Sequence, residues 1–107
     1  MQPFTERVIQ VIKAIPEGSV MTYGQIAEQA GSRRAARQVV RILHSLSGAH
    51  KLPWHRVVNA KGEIAIRDVE SRDIQILYLD GEGVQVSREG TVDLDKYRYC
   101  PAEAEQS

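Results

Sequence analysis

Few residues of this 107-residue chain are of types that do covalent chemistry. Cys100 is the lone cysteine, and the histidines are His44, His50 and His55. Group transfer needs a thiolate or comparable nucleophile with a base beside it. Cys100 stands in Tyr97-Arg98-Tyr99-Cys100-Pro101, where no histidine is near in sequence. A catalytic thiol is not expected there. One cysteine also makes neither an internal disulfide nor a multi-cysteine zinc site. Paired carboxylates, metal-ligand clusters and an amine in a suitable setting are missing too. The informative run is Pro53-Trp54-His55-Arg56-Val57-Val58. An indole N–H only donates, because its lone pair belongs to the ring. Trp54 therefore offers a stiff apolar plate with one donor, suited to lining a pocket or to plain core packing after a proline. The expected chemistry is binding.

Periodicity predicts the elements that must position these side chains. Phe4, Val8, Ile12 and Ile15, with Val11 beside them, predict a helix over 5–15, stopped by Pro16-Glu17-Gly18. Thr22 and Gln25 match a capping box that opens a second helix, with Ile26, Ala27 and Ala30 inward and Gly31 at its end. Ser32 is expected to cap a third helix. Its inner face is Val39, Val40, Leu43 and Leu46, and Arg33, Arg34, Arg37 and Arg41 fall mainly outside. Two helices meeting at so tight a corner look like a helix-turn-helix or an ordinary helical hairpin. The arginine-rich second helix, with Ala35 and Ala36 small enough for close approach, weighs toward DNA.

Residues 47–53 read as loop. Arg56-Val57-Val58 and Glu63-Ile64-Ala65-Ile66 read as strands flanking the turn Asn59-Ala60-Lys61-Gly62, a short β-hairpin. A last helix is expected from Ser71, with Ile74, Leu77 and Tyr78 inward, ending at Gly81-Glu82-Gly83. Residues 101–107 are expected to form a flexible tail.

At this length a single domain over 1–107 buries roughly 65% of its unfolded surface. An apolar content of 42% argues against disorder. Nothing near Met1 reads as a signal peptide, and no apolar run approaches membrane length. A secreted, membrane-spanning or cysteine-zinc protein is not expected; a cytoplasmic monomer is, nucleoid-associated if bacterial. The zero net charge hides a segregation. Residues 31–67 hold eight bases (Arg33, Arg34, Arg37, Arg41, Lys51, Arg56, Lys61, Arg67) against Glu63, net +7. Residues 1–30 are net −1 and 68–107 net −6. The basic stretch fits a polyanion-binding surface, or a solvated helix neutralised by an acidic neighbour.

Three motifs in register carry a resemblance. Thr22-Tyr23-Gly24-Gln25-Ile26-Ala27, Arg34-Ala35-Ala36-Arg37-Gln38-Val39 and Pro53-Trp54-His55-Arg56-Val57 together resemble the C-terminal domain of O6-alkylguanine-DNA alkyltransferases. The likeness covers about residues 4–86. The enzymes read Pro-Cys-His-Arg-Val, and their cysteine takes the alkyl group from the damaged base. Trp54 occupies that place here, as in the alkyltransferase-like proteins, which lack the acceptor. The resemblance implies a mostly α, winged-helix-like helix-turn-helix domain with a minor two-stranded element. It implies no cofactor and no metal.

By the same resemblance, Tyr23 helps rotate the target nucleotide's phosphate and contacts the flipped base. Arg37 enters the stack that the base has left. Arg33, Arg34 and Arg41 serve phosphates, and Ala35 and Ala36 allow approach to the minor groove. Trp54, His55, Arg56 and Val57 belong to the lesion-pocket motif. His55 and Glu82 match the relay that activates the missing thiol, and are expected to be structural. Two departures stand out. Leu46 falls where the family has a bracing asparagine, and Arg67-Asp68 replace an aromatic-serine pair lining the guanine pocket. Arg67 is either a contact to the flipped base, oriented by Asp68, or half of an exposed ion pair.

The expected function is a non-enzymatic sensor that flips O6-alkylguanine out of duplex DNA and flags it for nucleotide excision repair, with excision proteins as partners. The competing readings are a helix-turn-helix transcriptional regulator indifferent to alkylation, and a residual glycosylase or lyase.

Overall fold

A computed structural model describes residues 2–101. Pro3 opens helix α1 (Pro3–Lys13), where its missing N–H costs nothing because first-turn amides have no helical partner. α1 buries Val8, Ile9 and Ile12, and Ile15 stays in the core after the helix has ended. Strand β1 (Met21–Thr22) leads straight into α2 (Tyr23–Gln29). The capping box is present: Gln25 N–H donates to Thr22 Oγ1 at 3.1 Å, and Thr22 N–H to Gln25 Oε1 at 3.0 Å. Thr22→Ala is expected to cost about 1 kcal/mol. It should lower the urea midpoint without changing the slope.

The chain leaves α2 through Gly31, whose φ of +106° is left-handed territory. Arg7 donates through Nε to the Ala30 carbonyl at 2.6 Å, setting a cation at the negative end of α2. Helix α3 (Ala36–His50) starts later than expected. Ser32 does not cap it; its carbonyl accepts from Ala35 N–H at 3.0 Å, closing a turn over 32–35. Arg33 and Arg34 therefore project from that turn, not from the helix. At the other end α3 absorbs residues 47–50, expected as loop. Lys51 ends it with a left-handed φ of 52°, and Leu52 N–H closes back on the Ser47 carbonyl at 2.9 Å. Val39 and Leu43 face the core with Ile42, whereas Val40 is 44% exposed.

A 3-10 turn (Trp54–Arg56) feeds strand β2 (Val57–Val58). β2 pairs in parallel with β1, Met21 opposite Val57 and Thr22 opposite Val58. The expected hairpin ladder is replaced by this pairing. Residues 59–62 do turn, with Gly62 N–H on the Asn59 carbonyl at 2.9 Å, but the returning arm goes elsewhere. Ile64 N–H bonds the Gly90 carbonyl, and Glu63 bridges Thr91. The reason is burial: Val57 and Val58 are both enclosed, so their partner comes from inside. Gly62, at φ +81°, sits where a Cβ would strike the Val92 carbonyl oxygen.

Helix α4 (Val69–Gly81) is N-capped by Asp68, whose Oδ2 accepts from Ser71 N–H at 3.0 Å. Its inward face is not the expected one. Ile74, Leu77 and Tyr78 point out, and Gln75 and Leu79 are buried. Gln75 wins its place because Nε2 donates to both the His55 and Val57 carbonyls at 3.1 Å. A short α5 (Leu94–Tyr97) comes last. The core has two parts. One lies among α1, α2 and α3 with Leu52 and Val57; the other gathers Val20, Val58, Ile64, Leu79, Val84 and Val92. The expected tail lies beyond the described residues, apart from Pro101.

Candidate nucleic-acid interface

β1 places Tyr23 at the first turn of α2, and β2 comes directly after the turn that carries Trp54. Their pairing brings Tyr23, Trp54 and Val57 to one cavity of about 560 Å³. Arg67 and Asp68, from the segment entering α4, close its far side with Ala65 and Ile66. The α3 wall is Val40, Leu43, His44 and Ser47. Sequence reasoning placed none of these four in the site. Their spacing of three, four and seven residues was the available signal, hidden by reading 47–53 as loop. Burial raises the Tyr23 phenol above its usual range, so it stays a neutral donor at ordinary pH. No thiol lines the cavity, and Cys100 is half-buried elsewhere.

His55 and Arg56 stand next to Trp54 in sequence but line no part of this cavity. Both turn to Glu82. Arg56 donates to that carboxylate through Nε at 2.9 and 3.2 Å and through Nη2 at 2.6 Å, and His55 Nε2 lies 2.8 Å from Oε2. Gly18 N–H adds a bond at 3.3 Å, and Arg56 Nη1 reaches the Ile15 carbonyl at 2.9 Å. Partial burial alone would raise the Glu82 carboxyl, but the bonds from Arg56, His55 and Gly18 outweigh it and hold it down to about 2. The same bond lifts Arg56 above its usual value. These contacts fasten the Trp54 turn to the α1–β1 corner and α4. His55 and Glu82, matched to the relay by resemblance, are thus in direct contact, with Arg56 sharing the same carboxylate.

Among the described residues the ion pairs are those two on Glu82. Asp68 accepts from Ser71 and does not pair with Arg67, so it does not orient that arginine. Arg33, Arg34, Arg37 and Arg41 are all exposed, while Ala35 and Ala36 are half-buried. Arg33, Arg34 and Arg37 gather at the N-terminus of α3, whose first turn holds no acid. Cations at that positive helix end cost stability. Their placement makes sense if an external polyanion offsets the cost. Together with backbone amides at the helix start, it gives a basic edge one turn before Val40 of the cavity wall.

A helix-turn-helix with such an edge, set against a cavity walled by an indole at the end of Pro53-Trp54, defines a DNA-binding domain of the alkyltransferase class. Comparison with known proteins agrees: the family model described as "6-O-methylguanine DNA methyltransferase, DNA binding domain" matches residues 3–84, and the chain belongs to that family, in its alkyltransferase-like branch. It is 50% identical over 97 residues to the DNA base-flipping protein of Escherichia coli (strain K12), covering 90% of this chain and 74% of that protein. It is 35% identical over 106 residues to Alkyltransferase-like protein 1 of Schizosaccharomyces pombe, covering 94% and 98%. The crystal structure of S. pombe Atl1 in complex with damaged DNA containing O6-carboxymethylguanine superposes with a TM-score of 0.85 at 35% identity, again over 94% and 98%.

Proposed function

We propose that this protein is a non-enzymatic reader of O6-alkylguanine in duplex DNA, which flips the lesion into the cavity between Tyr23, Trp54 and Arg67 and holds it without alkyl transfer. The observation that carries this is the indole of Trp54 in a cavity without a thiol. Extruding a base costs a few kcal/mol, less for a damaged pair. Stacking on an aromatic or guanidinium plane returns about 1–3 kcal/mol per base. Discrimination is the difference of these small terms. Arg37 fills the vacated stack, Arg33, Arg34 and Arg41 hold phosphates, and Ala35 and Ala36 let α3 approach the minor groove. Trp54, Val57 and Arg67 receive the base, while His55 and Arg56 hold the Trp54 turn in place. The protein acts as a cytoplasmic monomer, nucleoid-associated if bacterial. It performs no chemistry on the lesion, so it marks the site for nucleotide excision proteins.

The test uses matched duplexes with and without one O6-methylguanine, and then mass measurement of the protein. Lesion preference with no mass gain is expected. A gain of one methylene would make the protein an enzyme, and equal affinity for both duplexes would make it a reader of sequence. Arg67→Ala is expected to lose about fivefold of the preference, the worth of one partly desolvated cation–π contact. A preference unchanged in that variant would leave Arg67 outside the pocket's selectivity.

A further inference from the structure

Four of the five exposed large apolar side chains among the described residues stand on one helix. They are Val69 (68%), Leu77 (65%), Tyr78 (48%) and Ile74 (42%) of α4; the fifth, Val40, lines the base cavity. At 100° per residue the four share one half of the helix, with Leu77 near its middle. Gln75 and Leu79 hold the other half to the protein. Glu70, Asp73 and Asp80 lie on the same outer half and are exposed. Arg72, the one cation of α4, is on the opposite half, where Nη2 donates to the Glu89 carbonyl at 3.2 Å. Ile74, Leu77 and Tyr78, neighbours at i, i+3 and i+4, form an apolar stripe bordered by Asp73 and Asp80 on one side and by Glu70 toward the helix start, a patch that a protein without partners seldom leaves open.

We propose that the outer face of α4 is a docking surface for an amphipathic helix of a partner protein, one whose apolar anchors are flanked by lysine or arginine. DNA does not fit this face, because its three carboxylates repel phosphate, whereas Arg33, Arg34, Arg37 and Arg41 are exposed on α3 and the turn before it. A second copy of the chain fits poorly, since a two-fold contact through this stripe sets acid against acid. A basic amphipathic helix meets both demands: leucine-like anchors cover Ile74, Leu77 and Tyr78, and its cations meet the acidic rim. The face is also continuous with the base cavity. The Tyr78 ring lies 6.2 Å from that of Trp54 and 5.3 Å from that of His55. A helix bound over Tyr78 would therefore touch, through that ring, the Trp54 wall of the cavity. The proposal rests on the reader function for its purpose, since a protein that leaves the lesion unchanged must present it to another.

The experiment uses the full chain and two fluorescent helical peptides, each with leucines at i, i+3, i+4 and i+7. One is flanked by lysines, and the other has glutamates in their place. Anisotropy is expected to show the lysine peptide binding at least tenfold tighter than the glutamate peptide. Leu77→Ser, and separately Asp73→Lys with Asp80→Lys, are expected to remove that binding by tenfold or more. Leu77→Ser should keep its affinity for an O6-methylguanine duplex within twofold. Equal binding of the two peptides overturns the proposal, as does indifference to Leu77→Ser. A self-association in sedimentation that Leu77→Ser abolishes would hand the face to a second copy and overturn it too. Loss of lesion preference in the parent protein would instead sink the reader function and leave the peptide result standing.

Discussion

Glu82→Ala is expected to cost about 4 kcal/mol of folding stability, measured by urea or thermal unfolding. Removing one partner of a buried ion pair costs 3–5 kcal/mol because the other is left uncompensated. Here the side chain is 11% exposed, Arg56 17% and His55 12%, so water replaces the lost carboxylate poorly. The Arg56 guanidinium, the His55 ring and the Gly18 amide lose their shared partner together. The pH dependence has a defined sign. Glu82 is held down to about 2 in the folded protein, against an ordinary value of 4.5. Its contribution is therefore complete above pH 4.5 and is lost as pH falls toward 2. That lost contribution is about 3 kcal/mol. The milder Glu82→Gln variant should be less stable at neutral pH and show a flatter acid limb across this window. Parallel acid limbs in parent and variant would show that the carboxylate is not the group responsible.

Arg37→Ala is expected to weaken binding to an O6-methylguanine duplex by about 30-fold, or about 2 kcal/mol. The guanidinium is exposed, belongs to no ion pair, and leaves α3 one residue after Ala36. When a base leaves the stack, a planar cation at that position replaces stacking on both neighbours and can bond the orphaned partner base. Arg41→Ala, which removes a phosphate contact alone, is expected to weaken lesion and plain duplexes alike and to reduce the salt slope by about one. If Arg37→Ala behaves like Arg41→Ala, with an equal loss on both duplexes, its role in the vacated stack is refuted.

What the sequence could announce depended on how local each cause was. The Thr22–Gln25 box needs only three residues of reach, and it stands as read. Tyr23, Trp54, Val57 and Arg67 meet in one cavity because the motifs lie in register with a family whose fold this chain shares. The start of α3 is misread because Ser32 has a capping residue's type but spends its carbonyl on a turn instead. The hairpin is misread because Asn59-Ala60-Lys61-Gly62 does turn, yet the arm leaving Gly62 is claimed by Gly90 and Thr91, far along the chain. The α4 error is the most instructive. Ile74, Leu77 and Tyr78 and the Gln75–Leu79 stripe both fit helical spacing, and hydrophobicity favours the former. Two free carbonyls, on His55 and Val57, decide for the latter. No window of sequence around residue 75 contains them.

The paired residues of the two short strands lie 36 positions apart in the chain, Met21 against Val57 and Thr22 against Val58. Tyr23 comes just after the first strand and Trp54 sits just ahead of the second, so neither ring reaches its place until this distant pairing has closed. Recognition is thereby tied to completion of folding: a half-assembled chain would still display its arginines and cling to any duplex, but would have no chamber with which to tell damaged guanine from sound.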